Sequence, residues 1–312
     1  RVTEPRSTSR LTARRREADT PRLSAYLPFH PDRYQFYSAS HGTAIGSDGL
    51  RLTGSFAHLR TRTRDSNLRG RARLAGVTAS YPLVRSARSN LSLSLSLDGV
   101  DSSNYFLDVR FGDYRSRALR LAASWSRVDE KTGYAASAVF SRGLDVLGAR
   151  PFAGFSEVRF GKLDVQAVAA RSVSAKLVAK LAVKAQYSSS RLPVTERFSL
   201  GGSGAGLAFR AGDVTADKGI AGSLELSRQL PAQGKVPRLV LFAYADGGLG
   251  HVAARPDFRL PPRDYALASA GGGLRLAAGG WHASAQLAVP LRRPRRDRGA
   301  APRLLLAIGR TF

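Results

Sequence analysis

The sequence AKLVAKLAVKAQYS, residues 175–188, alternates between polar and apolar side chains over most of its length. Leucine, alanine, valine and tyrosine fill every odd position from 177 to 187, whereas the even positions include Lys176, Lys180, Lys184 and Gln186. Successive side chains of a β-strand point to opposite faces, so the segment predicts a strand with one apolar and one wet face. Such a strand fits between lipid and an aqueous lumen, and we expect these four residues and Glu225 to face the lumen.

The same alternation recurs in about 15 segments, among them NLSLSLSLD, LRLAASWSR, FSEVRFGK and the final RLLLAIGRTF. Segments of about 10 residues separated by polar turns are typical of a transmembrane β-barrel, whereas the strands of soluble sandwiches are shorter. No run of about 18 apolar residues occurs, so a transmembrane helix is not expected. In hydrocarbon every strand edge must be paired. We therefore predict an all-β fold, a transmembrane antiparallel β-barrel.

The pattern begins only after about residue 30. Residues 1–30 are basic and poorly patterned, and we interpret them as a poorly ordered start or as the remnant of the first strands. Residues 31–312 are expected to form the barrel. The closing strand ends on Phe312, and a terminal aromatic residue resembles the assembly signal of bacterial outer-membrane barrels.

Basic residues outnumber acidic residues by 49 to 23, which gives a formal net charge of +26. Such an excess ordinarily indicates a polyanionic partner. No zinc-finger, RNP or helix-turn-helix pattern accompanies the arginines, so nucleic acid is not the expected partner. Lipopolysaccharide is the other abundant polyanion, and the basic residues 292–298 either contact its phosphates or form a solvated loop.

The sequence predicts no catalytic residue, metal site or cofactor, and hence no enzyme. The chain has no cysteine, which excludes disulfides and thiolate metal sites. Its five histidines form neither an HExxH motif nor another paired spacing. Neither a G-x-S-x-G elbow nor a Walker A sequence occurs.

Several segments together resemble one family. They are ASYPLVRSARSNLSLSLSLDG, FSRGLDVLGAR, the glycine-dense FSLGGSGAGLAFRAGDVTADKG, YADGG and AVPL. In this order they resemble the two-partner-secretion transporters of the haemolysin-activator family. The resemblance implies a monomeric barrel of about 16 strands in the bacterial outer membrane, with a glycine-rich loop folded inward. It also implies export of an unfolded partner protein, with recognition domains expected upstream of residue 1.

Three other functions fit the same pattern. A related outer-membrane assembly barrel would insert other barrels into the membrane. A passive porin would use the inward loop only to narrow its pore. The third alternative is a basic β-protein that binds polyanions, which belongs to a different functional class from the membrane pores.

In the family, the inward loop carries a tetrad similar to Val-Arg-Gly-Tyr/Phe, and its arginine pairs with an aspartate on the barrel wall. Alignment on Gly201 and Gly202 places this tetrad on Gly206, Leu207, Ala208 and Phe209. A leucine therefore stands where the resemblance implies an arginine. Arg210 follows three residues later, so the anchor is either a pair of Arg210 with Asp246 or is lost.

The other motif positions are closer to the family pattern. The wall motif is represented by Tyr244, Asp246 and Gly248. Asp217 and Gly219 resemble a Gly-Asp-x-Gly turn, with Ala216 where glycine is usual.

Overall fold

The computed structural model describes residues 20–27, 33–62, 68–107, 109–230, 238–294 and 301–311. Within these ranges the chain forms sixteen β-strands and two single 3-10 turns. The strands are β1 (Thr20–Tyr26), β2 (Tyr34–Ile45), β3 (Leu50–Arg62), β4 (Leu68–Arg85), β5 (Ser89–Phe106), β6 (Val109–Val128), β7 (Thr132–Gly143), β8 (Gly161–Ser172), β9 (Leu177–Ser188), β10 (Phe198–Leu200), β11 (Val214–Ala216), β12 (Lys218–Leu230), β13 (Arg238–Val252), β14 (Arg263–Ala278), β15 (Trp281–Arg292) and β16 (Arg303–Arg310).

Fourteen of these strands lie in one sheet in chain order, except that β12 follows β9 directly. The short strands β10 and β11 form a separate antiparallel pair within the connection between β9 and β12. The alternating segments predict long strands that follow one another along the chain. The strands are long, and β4 and β5 each contain 18 residues. The predicted all-β, antiparallel class is confirmed.

One detail differs from the sequence prediction. FSEVRFGK was expected to be a strand, but its first six residues lie in a turn region and β8 begins only at Gly161. There the backbone N–H groups of Phe155 and Ser156 both donate to the carbonyl of Phe152, which closes a turn. The strand β1 falls inside residues 1–30, while residues 1–19 lie outside the described part of the chain.

The chain divides by its contacts into two units, and each has its own interior. The first comprises the described residues of Arg1–Arg85, Leu91–Ala123 and Val139–Lys162. In it, Arg120 donates to both carboxylate oxygens of Asp98, at 2.7 and 3.1 Å, and to the hydroxyl of Ser141. These polar groups share the interior with the buried side chain of Phe160.

The second unit comprises Ser86–Asn90, Ser124–Ala138 and Leu163–Phe312, and it contains the connection between β9 and β12. Directly opposite residues of an antiparallel pair share a face. The registers Lys184↔Ala221, Ala221↔Gly248 and Ser223↔Asp246 therefore place these side chains on one face, here called the loop-bearing face.

The opposite face of the second unit is apolar and exposed. Leu181 and Leu224 lie opposite each other there and are 50% and 48% exposed. Leu249, Leu287, Leu306 and Ile308 continue this surface on the next strands, and all are exposed. An exposed apolar band opposite a polar face is typical of strands that meet lipid. Among the described residues, no helix is long and apolar enough to span a membrane.

Candidate functional site

The candidate site is the segment between β9 and β12, residues 189–217, called here the glycine-rich loop. The loop packs on the loop-bearing face through a buried apolar cluster. The loop contributes Phe198, Leu200, Ala205, Ala208, Phe209 and Val214, and the strands contribute Ala221, Leu267 and Ala288. The alternation of β12, β14 and β15 places these three strand residues under the loop, so burial of apolar surface holds the loop against the sheet.

The tip of the loop turns at Gly206. Its φ is +106°, in the region that glycine adopts readily and other residues avoid. A side chain at this position would also collide with Leu267 of β14. The glycine therefore lets the main chain come close to the sheet, and its N–H points at a strand side chain.

That side chain is Asp246 of β13. Its Oδ2 accepts hydrogen bonds from the backbone N–H of Gly206 at 3.0 Å and of Leu207 at 2.9 Å. Its Oδ1 accepts from the hydroxyl of Ser269 on β14. The Ser269 oxygen in turn accepts from the N–H of Ala208 at 3.3 Å. Hydrogen bonds to an ionised carboxylate are stronger than neutral ones, and this carboxylate is buried.

The carbonyl groups of the same turn are bound by a cation of the last strand. Nη1 of Arg303 donates to the carbonyl oxygen of Leu207 at 3.2 Å and to that of Phe209. Arg303 lies opposite Ala288 in register, so its side chain belongs to the loop-bearing face. The tip is thus held at its main chain, by a carboxylate on the N–H side and by a guanidinium on the carbonyl side.

Of the two alternatives for the anchor, the contact between Arg210 and Asp246 is wrong. Both residues are described, and no hydrogen bond or ion pair joins them; the side chain of Arg210 is exposed. The physical reason is that two peptide N–H groups and a serine hydroxyl already occupy the carboxylate of Asp246. Arg303 was not predicted from the sequence, although it lies one residue before Leu304 and three before Leu306, so alternation places it on the face opposite to theirs.

The start of the loop is bound by a lysine and packs closely over glycines of the strands. Nζ of Lys184 donates to the carbonyl of Ser199 at 3.1 Å and lies 5.3 Å from the ring centroid of Phe198. A Cβ on Gly219 would touch the ring of Phe198, and one on Gly248 would touch Leu200. The predicted motif glycines therefore make room for the loop's apolar side chains.

A second polar anchor lies where the loop joins β12. Asp217 accepts two hydrogen bonds from Arg255, at 2.9 and 2.8 Å, and each of these residues is only 1% exposed. The backbone N–H groups of Leu192 and Ala253 donate to the same carboxylate at 3.0 and 2.8 Å. Gln186 of β9 donates to the carbonyl of Asp217 at 3.0 Å. Both ends of the loop and the segment after β13 are therefore tied to one aspartate.

Burial raises the pKa of Asp217, but the hydrogen bonds from Arg255, Ala253 and Leu192 outweigh it, so the pKa lies below its ordinary value. Asp217 was predicted from its motif, whereas Arg255 was not predicted. The signal that the sequence offered for Arg255 was weak, because an arginine in the loop after β13 looks like any other basic loop residue.

The remaining predicted positions are spread along the sheet. Glu225 of β12 lies opposite Lys180 and accepts two hydrogen bonds of 2.7 Å from Arg275, whose guanidinium stands 3.9 Å above the ring of Phe242. Lys176 lies in the bend that precedes β9.

Two predictions concern residues outside the described ranges. Phe312 lies outside them, as do residues 295–298 of the basic segment 292–298. In the part of the chain that the structure describes, no group of three or more histidine, aspartate or glutamate side chains could hold a metal ion.

The sequence matches the family model of the haemolysin secretion/activation proteins ShlB/FhaC/HecB over residues 36–276. The chain belongs to this family. The matched range includes the glycine-rich loop, Asp217, Asp246 and Arg255, whereas Arg303 lies beyond it. A comparison with the sequences of curated proteins found no match.

Solved structures show the same fold. CdiB from Escherichia coli superposes with a TM-score of 0.71 at 22% identity, covering 88% of this chain and 52% of that one. CdiB from Acinetobacter baumannii gives 0.69 at 18%, covering 93% and 53%. BamA from Haemophilus ducreyi lacking POTRA domains 1–3 gives 0.66 at 12%, covering 93% and 64%. The chain thus spans about half the length of the two CdiB structures.

Family and fold together confirm three predictions. The chain is a member of the two-partner-secretion family, its all-β antiparallel fold is similar to that of the outer-membrane proteins CdiB and BamA, and its location is the bacterial outer membrane. The exposed apolar face of the second unit is what such a location requires.

Proposed function

We propose that the chain forms the translocation pore through which an unfolded partner protein leaves the cell. The observation that supports this best is the double anchoring of the glycine-rich loop by Asp246 and Arg303, within a chain of the haemolysin secretion/activation family. The loop is held on the sheet by these polar contacts and by its buried apolar cluster, and neither is part of the strand ladder, so a passing segment can displace the loop without unfolding the strands.

The chemistry of the loop-bearing face fits an extended polypeptide. Lys180, Lys184, Glu225 and Arg275 offer polar and charged groups to a hydrated chain rather than one apolar pocket. We infer that these residues line the lumen, as does Lys176. The pore acts as a conduit without catalysis, as a monomer, and uses neither a cofactor nor nucleic acid.

The related function of a barrel-assembly protein is the second candidate. The superposition with BamA favours it, at a TM-score of 0.66. The family match favours export, because it covers the glycine-rich loop together with Asp217 and Asp246.

Deletion of the gene in a Gram-negative host, followed by comparison of the culture supernatant and of the outer membrane, separates the two functions. Export predicts the loss of one large protein from the supernatant and an unchanged set of outer-membrane barrels. A general depletion of barrels from the membrane would instead establish assembly. Complementation with the parent gene and with an Arg210→Ala variant serves as the control, since Arg210 is exposed and makes no side-chain contact that holds the loop.

A further inference from the structure

A row of polar side chains ends the apolar face of the second unit. Lys218 lies opposite His251, which in turn lies opposite Asp264, so the three side chains share one face of β12, β13 and β14. Two residues along the same face, Ile220 lies opposite Leu249, and both are exposed. The polar row therefore begins directly where the exposed apolar band ends.

The polar row lines an open depression with a volume of about 490 Å³, which is within the range of small-molecule sites. Arg292 at the end of β15 and the exposed Tyr187 of β9 also line it. Nζ of Lys218 lies 6.0 Å from the ring centroid of Tyr187, and Nδ1 of His251 lies 2.7 Å from Oδ1 of Asp264. We call this depression the rim site. It combines two cations, a histidine–aspartate pair and an aromatic ring.

The rim site lies at the end of the strands that carries the longer connections. Outer-membrane barrels of bacteria have short periplasmic turns and longer extracellular loops. At the end of the rim site the connections are residues 189–217, 253–262 and 293–302, whereas at the other end they are residues 173–176, 231–237 and 279–280. We therefore assign the rim site to the extracellular surface, where the outer leaflet consists of lipopolysaccharide.

The opposite end of the same face carries a second set of cations. Arg228 of β12 shares the face of Lys218, and the guanidinium of Arg310 lies 5.2 Å from the ring centroid of Trp281. Between Lys218 and Arg228 the face carries Ile220, Gly222, Leu224 and Leu226.

The spacing of these two cations matches a membrane. Lys218 and Arg228 are ten residues apart, which is about 34 Å along a strand and about 24–28 Å along the membrane normal at a tilt of 35–45°. The apolar band of outer-membrane barrels is about 25 Å tall. Lys218 therefore lies at the level of the headgroups of one leaflet and Arg228 at that of the other.

We propose that the rim site binds the phosphorylated sugar headgroup of lipopolysaccharide. Lys218 and Arg292 provide cations for a phosphate, which the guanidinium binds bidentately and the ammonium binds as a point charge. Asp264 is exposed and accepts hydrogen bonds from sugar hydroxyls, and the ring of Tyr187 offers an apolar surface to the face of a sugar.

The mixed charge of the rim site indicates why the ligand is a sugar phosphate. A carboxylate beside two cations disfavours a bare phosphate, but it suits a ligand that carries both phosphate and hydroxyl groups. Phosphatidylglycerol has a phosphate and no sugar ring, so it would use only part of the site. The inference rests on the membrane location and not on protein export.

The test compares two double variants of the full chain refolded in neutral detergent. Lys218→Gln with Arg292→Gln removes the two cations of the rim site. Arg228→Gln with Arg310→Gln is the matched control, because it removes two cations from the other end of the same face. Thermal unfolding by circular dichroism is measured while lipopolysaccharide is added, and in parallel with dephosphorylated lipopolysaccharide and with phosphatidylglycerol.

We expect lipopolysaccharide to raise the unfolding midpoint of the parent and of the Arg228/Arg310 variant alike, because a ligand of the folded state stabilises it. The Lys218/Arg292 variant should require at least tenfold more lipopolysaccharide for the same shift. The single variant Lys218→Gln, which disturbs the site least, should fall between the two. An undiminished shift in the Lys218/Arg292 variant, an equal loss in the control, or an equal response of the parent to either of the other lipids would each overturn the proposal.

Discussion

The backbone N–H of Leu207 lies 2.9 Å from the carboxylate oxygen Oδ2 of Asp246, so the loop is held by its main chain at the position where the family resemblance implies an arginine side chain. A cation is nevertheless present at the site. Arg303 supplies it from β16 and binds the carbonyl of the same residue, Leu207, at 3.2 Å. The negative charge of Asp246 and the positive charge of Arg303 both come from strands of the sheet, and the loop tip contributes only its peptide groups.

Replacement of Asp246 by alanine should release the loop tip. Two peptide N–H groups and the hydroxyl of Ser269 lose their acceptor, and each hydrogen bond to a charged group contributes about 1.5–3 kcal/mol. The released state should become at least about tenfold more populated. Single-channel recording in planar bilayers checks this: we expect longer or larger open states for Asp246→Ala and unchanged conductance for Arg210→Ala. Equal effects of both variants would contradict the anchoring role of Asp246.

Replacement of Arg303 by alanine should have the same consequence, because the carbonyls of Leu207 and Phe209 lose their donor. Both anchors act on the same turn, so the effects of Asp246→Ala and Arg303→Ala should not add. A double-mutant cycle on open probability should give a coupling energy of about 0.5–3 kcal/mol. Strict additivity would mean that the two residues hold separate parts of the loop.

The sequence predicted the sheet well because its signal is local. The alternation of apolar and polar residues in a segment such as residues 175–188 fixes which side chains share a face, whatever the strand's neighbours are. The same rule failed at residues 155–160, where Val158 and Phe160 alternate with Glu157 and Arg159 although the backbone makes a turn. Local pattern alone does not distinguish a strand from an alternating turn.

The site was less predictable, because its contacts join residues far apart in the chain. Asp246 and Asp217 could be named from motifs, but their partners could not. Arg303 lies 96 residues from Leu207, and Arg255 lies 38 residues from Asp217. Arg210 was the nearest arginine in sequence to the missing motif position, and proximity in sequence favoured it over Arg303. The register of β14, β15 and β16, which sequence pattern does not supply, brings Arg303 to the loop.

The Asp217–Arg255 pair should make the loop sensitive to acid. The pKa of Asp217 is lowered from its ordinary value of 3.8 in the folded protein. Its contribution to stability is therefore complete above pH 3.8 and is lost as the pH falls through the lower, folded value. Thermal unfolding from pH 6 to pH 2 should show the midpoint of the parent falling in the acid range.

The variant Asp217→Asn provides the comparison for this effect. It should start from a lower midpoint at pH 6, because Arg255 is left buried beside an uncharged amide, and it should lose less on acidification. Parallel pH profiles for the parent and the variant would show that another carboxylate carries the acid response.

Lysines of the loop-bearing face should set the ion selectivity of the pore. Lys180 and Lys184 lie on the side of β9 that carries the loop, and fixed positive charge in a lumen favours anions. Glutamate at positions 176, 180 and 184 should shift the reversal potential in a salt gradient from the anion-selective to the cation-selective sign. The control is Arg88→Glu, which inverts a charge in the turn before β5 and should leave the selectivity of the parent unchanged. An unchanged reversal potential in the triple lysine variant would place these side chains outside the conducting path.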